Sequence, residues 1–102
     1  MPHVLGDRGD IVAILWLPKN ALHAPPLPDQ ANKILWVSRV SLAPPSPLKI
    51  RATLVGTDRT VYREVTDGPG PSYVNLPSAG CWALDLTWSG HTDHLDLRYA
   101  AG

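Results

Sequence analysis

The sequence predicts an all-β fold, a seven-stranded antiparallel β-sandwich, and three observations carry that expectation. Short runs rich in Val, Ile, Leu, Thr, Tyr and Trp recur at regular spacing, as strands of a sandwich or barrel do. Eleven prolines and eight glycines in 102 residues punctuate the chain too often for long helices. The run Cys81 to Trp88 alternates strictly, with Trp82, Leu84, Leu86 and Trp88 on one face and Cys81, Ala83, Asp85 and Thr87 on the other.

In chain order, residues 1–10 read as an N-terminal extension and 11–100 as the sandwich. The start carries Asp7, Arg8 and Asp10 and no apolar stretch, so it does not read as a signal peptide. The strands are expected at 11–17, 33–39, 48–55, 60–65, 72–76, 81–88 and 93–99. The first, Ile11 to Leu17, is apolar throughout, as in a strand covered on both sides or an edge strand covered by a loop. Pro18 to Asn32 holds four prolines and reads as a long connection. The triplet Ile34-Leu35-Trp36 repeats Ile14-Leu15-Trp16; two copies do not make a solenoid, and shared strand composition accounts for them. After Ala43 to Pro47, with three prolines, Leu48, Ile50, Ala52 and Leu54 alternate with Lys49, Arg51 and Thr53, one face buried and one wet. Asp67 to Pro71 contains Gly-Pro-Gly-Pro, which forbids a continuing ladder.

The last two strands are the most legible. A two-residue turn at Ser89-Gly90 pairs Trp88 with His91, Leu86 with Asp93, Leu84 with Leu95 and Trp82 with Leu97. A four-residue loop, Ser89 to Thr92, would shift the pairing by two and preserve the faces. The outer face then carries Asp85, His94, Asp96 and Arg98.

Composition excludes several function classes. Nine Lys+Arg balance nine Asp+Glu, so there is no basic field for nucleic acid, and polyanions and membrane surfaces are weak candidates as well. No apolar run approaches the ~18 residues of a membrane-spanning helix. The single cysteine, Cys81, cannot form an intramolecular disulfide. No phosphate loop, nucleophile elbow or paired-carboxylate motif is present, so an enzyme is disfavoured, and no cofactor is expected.

Two groups of residues invite a functional reading. The long connection, with Leu22, His23, Pro25, Pro26 and Leu27, reads as a polyproline-like binding loop, the bland alternative being a stiff connector. Trp88 and His91 stand at the hairpin tip; Trp88 is either an anchor for a partner or part of the core, while Trp36 and Trp82 read as core. A different reading takes His91, Asp93 and His94 as the centre of a metal-binding protein or metal-dependent enzyme. Against it, His94 points away from His91 and Asp93 on an extended strand, and an Asp85–His94 cross-strand pair on a solvated hairpin is the simpler account.

The stretch Val74-Asn75-Leu76-Pro77-Ser78-Ala79-Gly80-Cys81-Trp82, continuing to Gly90, resembles the Pro-x-x-Gly-Cys-Trp segment of immunoglobulin-like domains in bacterial envelope proteins, where it leads into the final hairpin. The resemblance covers the chain from Val74 onward. It implies an Ig-like sandwich in an exported or membrane-anchored protein and brings no catalytic residue. An extracytoplasmic setting follows if the chain is an excised domain, a cytoplasmic one if Met1 is the native start. The expected function is a non-catalytic binding or structural module that presents rigid loops to a protein, with a glycan as the other ligand class. Insertion of those loops into a partner's cleft, in the manner of Ig-like protease inhibitors, is one form of it. An unpaired sheet edge also leaves homodimerisation by strand addition open.

Overall fold

A computed structural model describes residues 3–15, 22–24, 32–40, 47–66 and 68–101. Nine strands occur among them: β1 (His3–Leu5), β2 (Ile11–Leu15), β3 (Leu22–Ala24), β4 (Lys33–Ser38), β5 (Leu48–Leu54), β6 (Thr60–Val65), β7 (Pro71–Tyr73), β8 (Gly80–Trp88) and β9 (His91–Ala101). They form a four-stranded sheet in the order β1-β2-β4-β7 and a five-stranded sheet in the order β3-β9-β8-β5-β6. All seven expected segments contain a strand, and the all-β sandwich architecture stands.

Two strands were not expected. His3–Leu5, within the segment read as an extension, pairs with β2 as an edge strand. Leu22–Ala24, within the segment read as a structureless connection, pairs with β9 in parallel, Leu22 opposite Tyr99 and Ala24 opposite Ala101. Among the described residues the count is therefore nine rather than seven, and the pairing is not antiparallel throughout. Both strands have three residues, too few to show a period of two clearly, so their pairing comes from tertiary context.

Of the two registers considered, the β8–β9 hairpin takes that of the two-residue turn, from Trp88 opposite His91 through Trp82 opposite Leu97 and on to Gly80 opposite Tyr99. Its tip is tight because Ser89 (φ 48°) and Gly90 (φ 76°) both adopt the left-handed region, as a type I′ turn requires, and that turn's twist matches the strands it joins.

Alternation along each strand sends one set of side chains into a single shared core. The four-stranded sheet contributes Ile11, Ala13, Ile34 and Trp36, and the five-stranded sheet contributes residues such as Ile50, Trp82, Leu84, Leu86, Trp88 and Leu97. The indoles bury both area and a polar N–H, which must find an acceptor. Trp36 donates to the Ser72 hydroxyl at 3.1 Å, Trp82 to the Ser78 carbonyl at 3.0 Å and Trp88 to the Ser38 hydroxyl at 2.9 Å. The Tyr99 hydroxyl donates to the Val74 carbonyl at 2.7 Å; burial raises its pKa far above the ordinary phenol value.

Asp93 provides a polar tie between the sheets. Its side chain is buried and accepts backbone N–H bonds from Arg8 at 2.8 Å, Asp10 at 3.0 Å and His94 at 2.8 Å. Burial pushes this carboxyl up, but the N–H groups of Arg8, His94, Asp10 and Ile11 outweigh it and hold the group below the usual carboxylate range. The β1–β2 turn of one sheet is thereby pinned to β9 of the other.

Candidate functional site

The residues singled out from the sequence do not form one site. Trp88 is 1% exposed and its N–H is already bonded to Ser38, so it belongs to the core and cannot anchor a partner. Leu22 is likewise 1% exposed, because β3 turns it inward beside Tyr99. His23 lies on the same strand. Pro25, Pro26 and Leu27 lie outside the described residues. His91 is half-buried at the hairpin tip, its ring tilted 50° to that of Trp88 with centroids 5.9 Å apart.

The hairpin does not assemble a metal site either. Asp93 points inward and spends its oxygens on backbone N–H groups, His94 points outward to Asp85, and His91 packs on Trp88. Among the described residues no group of three or more His, Cys, Asp or Glu side chains stands together as metal ligands. Cys81 is exposed on the outer face of β8, opposite Arg98.

The structure instead brings together residues from four strands on the outer face of the five-stranded sheet. Register places Tyr62 opposite Arg51, Arg51 opposite Asp85, and Asp85 opposite His94, making one straight row across β6, β5, β8 and β9. The neighbouring row runs Glu64, Lys49, Thr87 and Thr92. Since β-strands lie ~4.8 Å apart, each row is roughly 14 Å long. Together they line a hollow of about 700 Å³.

Asp85 is the electrostatic centre of this hollow. The Arg51 guanidinium donates to Asp85 Oδ2 through Nε at 3.0 Å and through Nη2. His94 Nδ1 lies 2.5 Å from Asp85 Oδ1. Partial burial pushes the Asp85 carboxyl up, and the bonds and charges of Arg51 and His94 outweigh this and hold it below the usual range. Its bond and charge raise the Arg51 pKa in turn. With both oxygens engaged, Asp85 positions its two neighbours. Tyr62, 70% exposed, closes the row and brings to it a residue type with both an aromatic ring and a hydroxyl.

Sequence reasoning placed Asp85 and His94 correctly as a cross-strand pair but left out Tyr62, Arg51, Lys49 and Glu64 as a site. The signal was present. Lys49 and Arg51 alternate with buried aliphatics, and Tyr62 and Glu64 share one parity in Thr60–Val65. What the sequence lacked was the adjacency of β6 to β5 and of β5 to β8.

No helix of the described residues is long and apolar enough to cross a membrane. Comparison of the chain with protein-family models, curated proteins and solved structures gives no match.

Proposed function

We propose that the chain is an immunoglobulin-like sandwich acting as a non-catalytic binding module for a protein partner, and that the hollow around Tyr62, Arg51, Asp85 and His94 is its contact site. Strand order supports the Ig-like reading. On that reading β2, β4 and β7 would correspond to strands A, B and E, and β5, β6, β8 and β9 to C, C′, F and G, an assignment with which the order within each sheet agrees. β1 and β3 are additions at the edges.

The observation that carries the binding reading is Tyr62, 70% exposed beside Arg51. A large ring held on a strand, next to an arginine whose guanidinium is already oriented, has the composition of an interface anchor. Neighbouring charges of both signs (Lys49, Glu64, Asp85) favour a partner that is itself polar and mixed in charge, which a folded protein or peptide supplies. The proline-rich sequence after Ala24 is a second contact element in this reading, since proline limits the entropy lost on docking.

Panning a displayed random-peptide library on the folded chain, alongside a glycan array, tests it. Peptides that bind the wild type and lose about tenfold or more in affinity, ~1.4 kcal/mol, on Tyr62→Ala support the site. Replacing residues 25–28 by Gly-Ser reads the contribution of the proline-rich segment separately. Binding confined to glycans would redirect the ligand class, and binders indifferent to Tyr62→Ala would sink the site.

A further inference from the structure

The Asp85 carboxylate governs more than the position of the His94 ring. An ionised carboxylate has lone pairs and no proton to give. Arg51 and His94 hold this one below the usual carboxylate range, and its Oδ1 lies 2.5 Å from His94 Nδ1. The proton between them therefore belongs to the imidazole. Oδ1 is kept on its mark because the Arg51 guanidinium grips Oδ2 through Nε and Nη2. The backbone of His94 is fixed as well: its N–H donates to Asp93 Oδ1 at 2.8 Å, and its carbonyl accepts from the Asp7 N–H at 2.7 Å.

We infer that neutral His94 is locked with its proton on Nδ1 and offers Nε2 as a hydrogen-bond acceptor, so that the β9 end of the hollow takes an N–H or O–H group of the ligand. Ligand choice follows only if the hollow is the contact site, as proposed. A neutral imidazole carries one N–H, and the bond made by one ring nitrogen sets the role of the other. The His94 side chain is 54% exposed and lines the hollow. Among the described residues no other hydrogen bond engages its ring, which leaves Nε2 to a ligand. Asp85 is thus a positioning residue that acts through His94.

The two ends of the hollow then differ in what they take. On β5, Lys49 and Arg51 have only donors and suit a carboxylate or carbonyl oxygen. Two strands away, ~10 Å across the sheet, His94 Nε2 sets a lone pair against such an oxygen and disfavours it. The Thr87 and Thr92 hydroxyls, which line the same hollow, serve in either role. A peptide matches both ends when it sets an acidic side chain over β5 and an amide, hydroxyl or amine over β9.

Asp85→Asn tests the lock and the ligand together. Arg51 takes the new amide oxygen, because it has only donors, and the amide nitrogen is left facing Nδ1. The imidazole proton then moves to Nε2 while the shape of the site is kept. Long-range proton–nitrogen NMR correlation of the free, isotope-labelled chain at about pH 8, above the ordinary imidazole range, reads the tautomer. The His94 signals, assigned by their loss in His94→Ala, should show Nδ1–H in the wild type and Nε2–H in Asp85→Asn. Displayed peptides that bind the wild type through Tyr62 should weaken by about tenfold or more on Asp85→Asn and on His94→Ala, with circular dichroism confirming that each variant folds. An Nε2–H or doubly protonated ring in the wild type overturns the inference, as does a tautomer unmoved by Asp85→Asn. Peptides that depend on Tyr62 and ignore Asp85→Asn overturn it as well, and leave the hollow standing as the contact site. If no peptide depends on Tyr62, the contact site itself falls and the donor-taking subsite with it, whichever tautomer the ring shows.

Discussion

Gly6 lies directly against the carboxylate of Asp93: a β-carbon built on Gly6 would stand 2.2 Å from Asp93 Oδ2 and 2.5 Å from Cγ. No side chain fits there unless the carboxylate moves. The carboxylate cannot move freely, because the N–H groups of Arg8, Asp10 and His94 hold it. The glycine is needed for close approach rather than for an unusual backbone angle. Gly6→Ala is therefore expected to destabilise the fold by roughly 2–4 kcal/mol, read as a fall in the urea midpoint at unchanged slope. Asp7→Ala, at the exposed neighbouring position, should leave the midpoint nearly unchanged.

Asp93 makes stability depend on acid. Its folded pKa is depressed, so the stability it contributes is fully present above the unfolded carboxylate value of about 4. That contribution is lost as pH falls through the lower folded value. Urea midpoints measured from neutral pH down to about pH 2 should decline through this window. Asp93→Asn should be less stable at neutral pH by roughly 2–3 kcal/mol, since its amide nitrogen faces backbone donors, and it should show a shallower acid decline. Asp85 also has a depressed value and contributes a decline of the same sign, so the comparison is between Asp93→Asn and the wild type under identical conditions.

Much of this architecture could be read from the residues, for local reasons. Cys81 to Trp88 and Asp93 to Tyr99 alternate over enough positions to fix their faces whether the turn is Ser89-Gly90 or the longer Ser89 to Thr92. The same alternation in Leu48 to Leu54 separated core from solvent correctly. Leu22–Ala24 was hidden because a three-residue strand between prolines has no period to detect. Trp88 was ambiguous because proximity to a turn does not say whether an indole finds an inward acceptor, and that acceptor, Ser38, lies fifty positions away in the chain. The row from Tyr62 to His94 depends on which strands are neighbours, a property of the topology that no single segment encodes.

The Ser38 hydroxyl is fully used. It accepts from Trp88 Nε1 at 2.9 Å and from the Val40 N–H at 3.3 Å, and it donates to the Val40 carbonyl at 2.9 Å. Ser38→Ala would leave a buried indole N–H without its acceptor, at about 1–3 kcal/mol. Trp88→Phe removes the donor, so adding it to Ser38→Ala should cost less than it costs the wild type. A double-mutant cycle on thermal or urea unfolding measures that coupling. Additive losses would mean that the bond contributes nothing beyond packing.

The final hairpin places His91, Asp93 and His94 within four positions, and its geometry sends them three ways. A strand alternates its faces, which separates His94 from its neighbours, and the burial of Asp93 commits its oxygens to the β1–β2 turn. Zinc binding at this place would require breaking the Arg8, Asp10 and His94 backbone bonds to Asp93, and so would oppose folding rather than assist it. Calorimetric titration of the folded chain with zinc should accordingly show no saturable heat that His91→Ala abolishes, and zinc should not raise the unfolding midpoint. A saturable site lost in both His91→Ala and His94→Ala, accompanied by a higher midpoint, would show that the hairpin rearranges around metal and would overturn the role of Asp93 as the polar tie between the sheets.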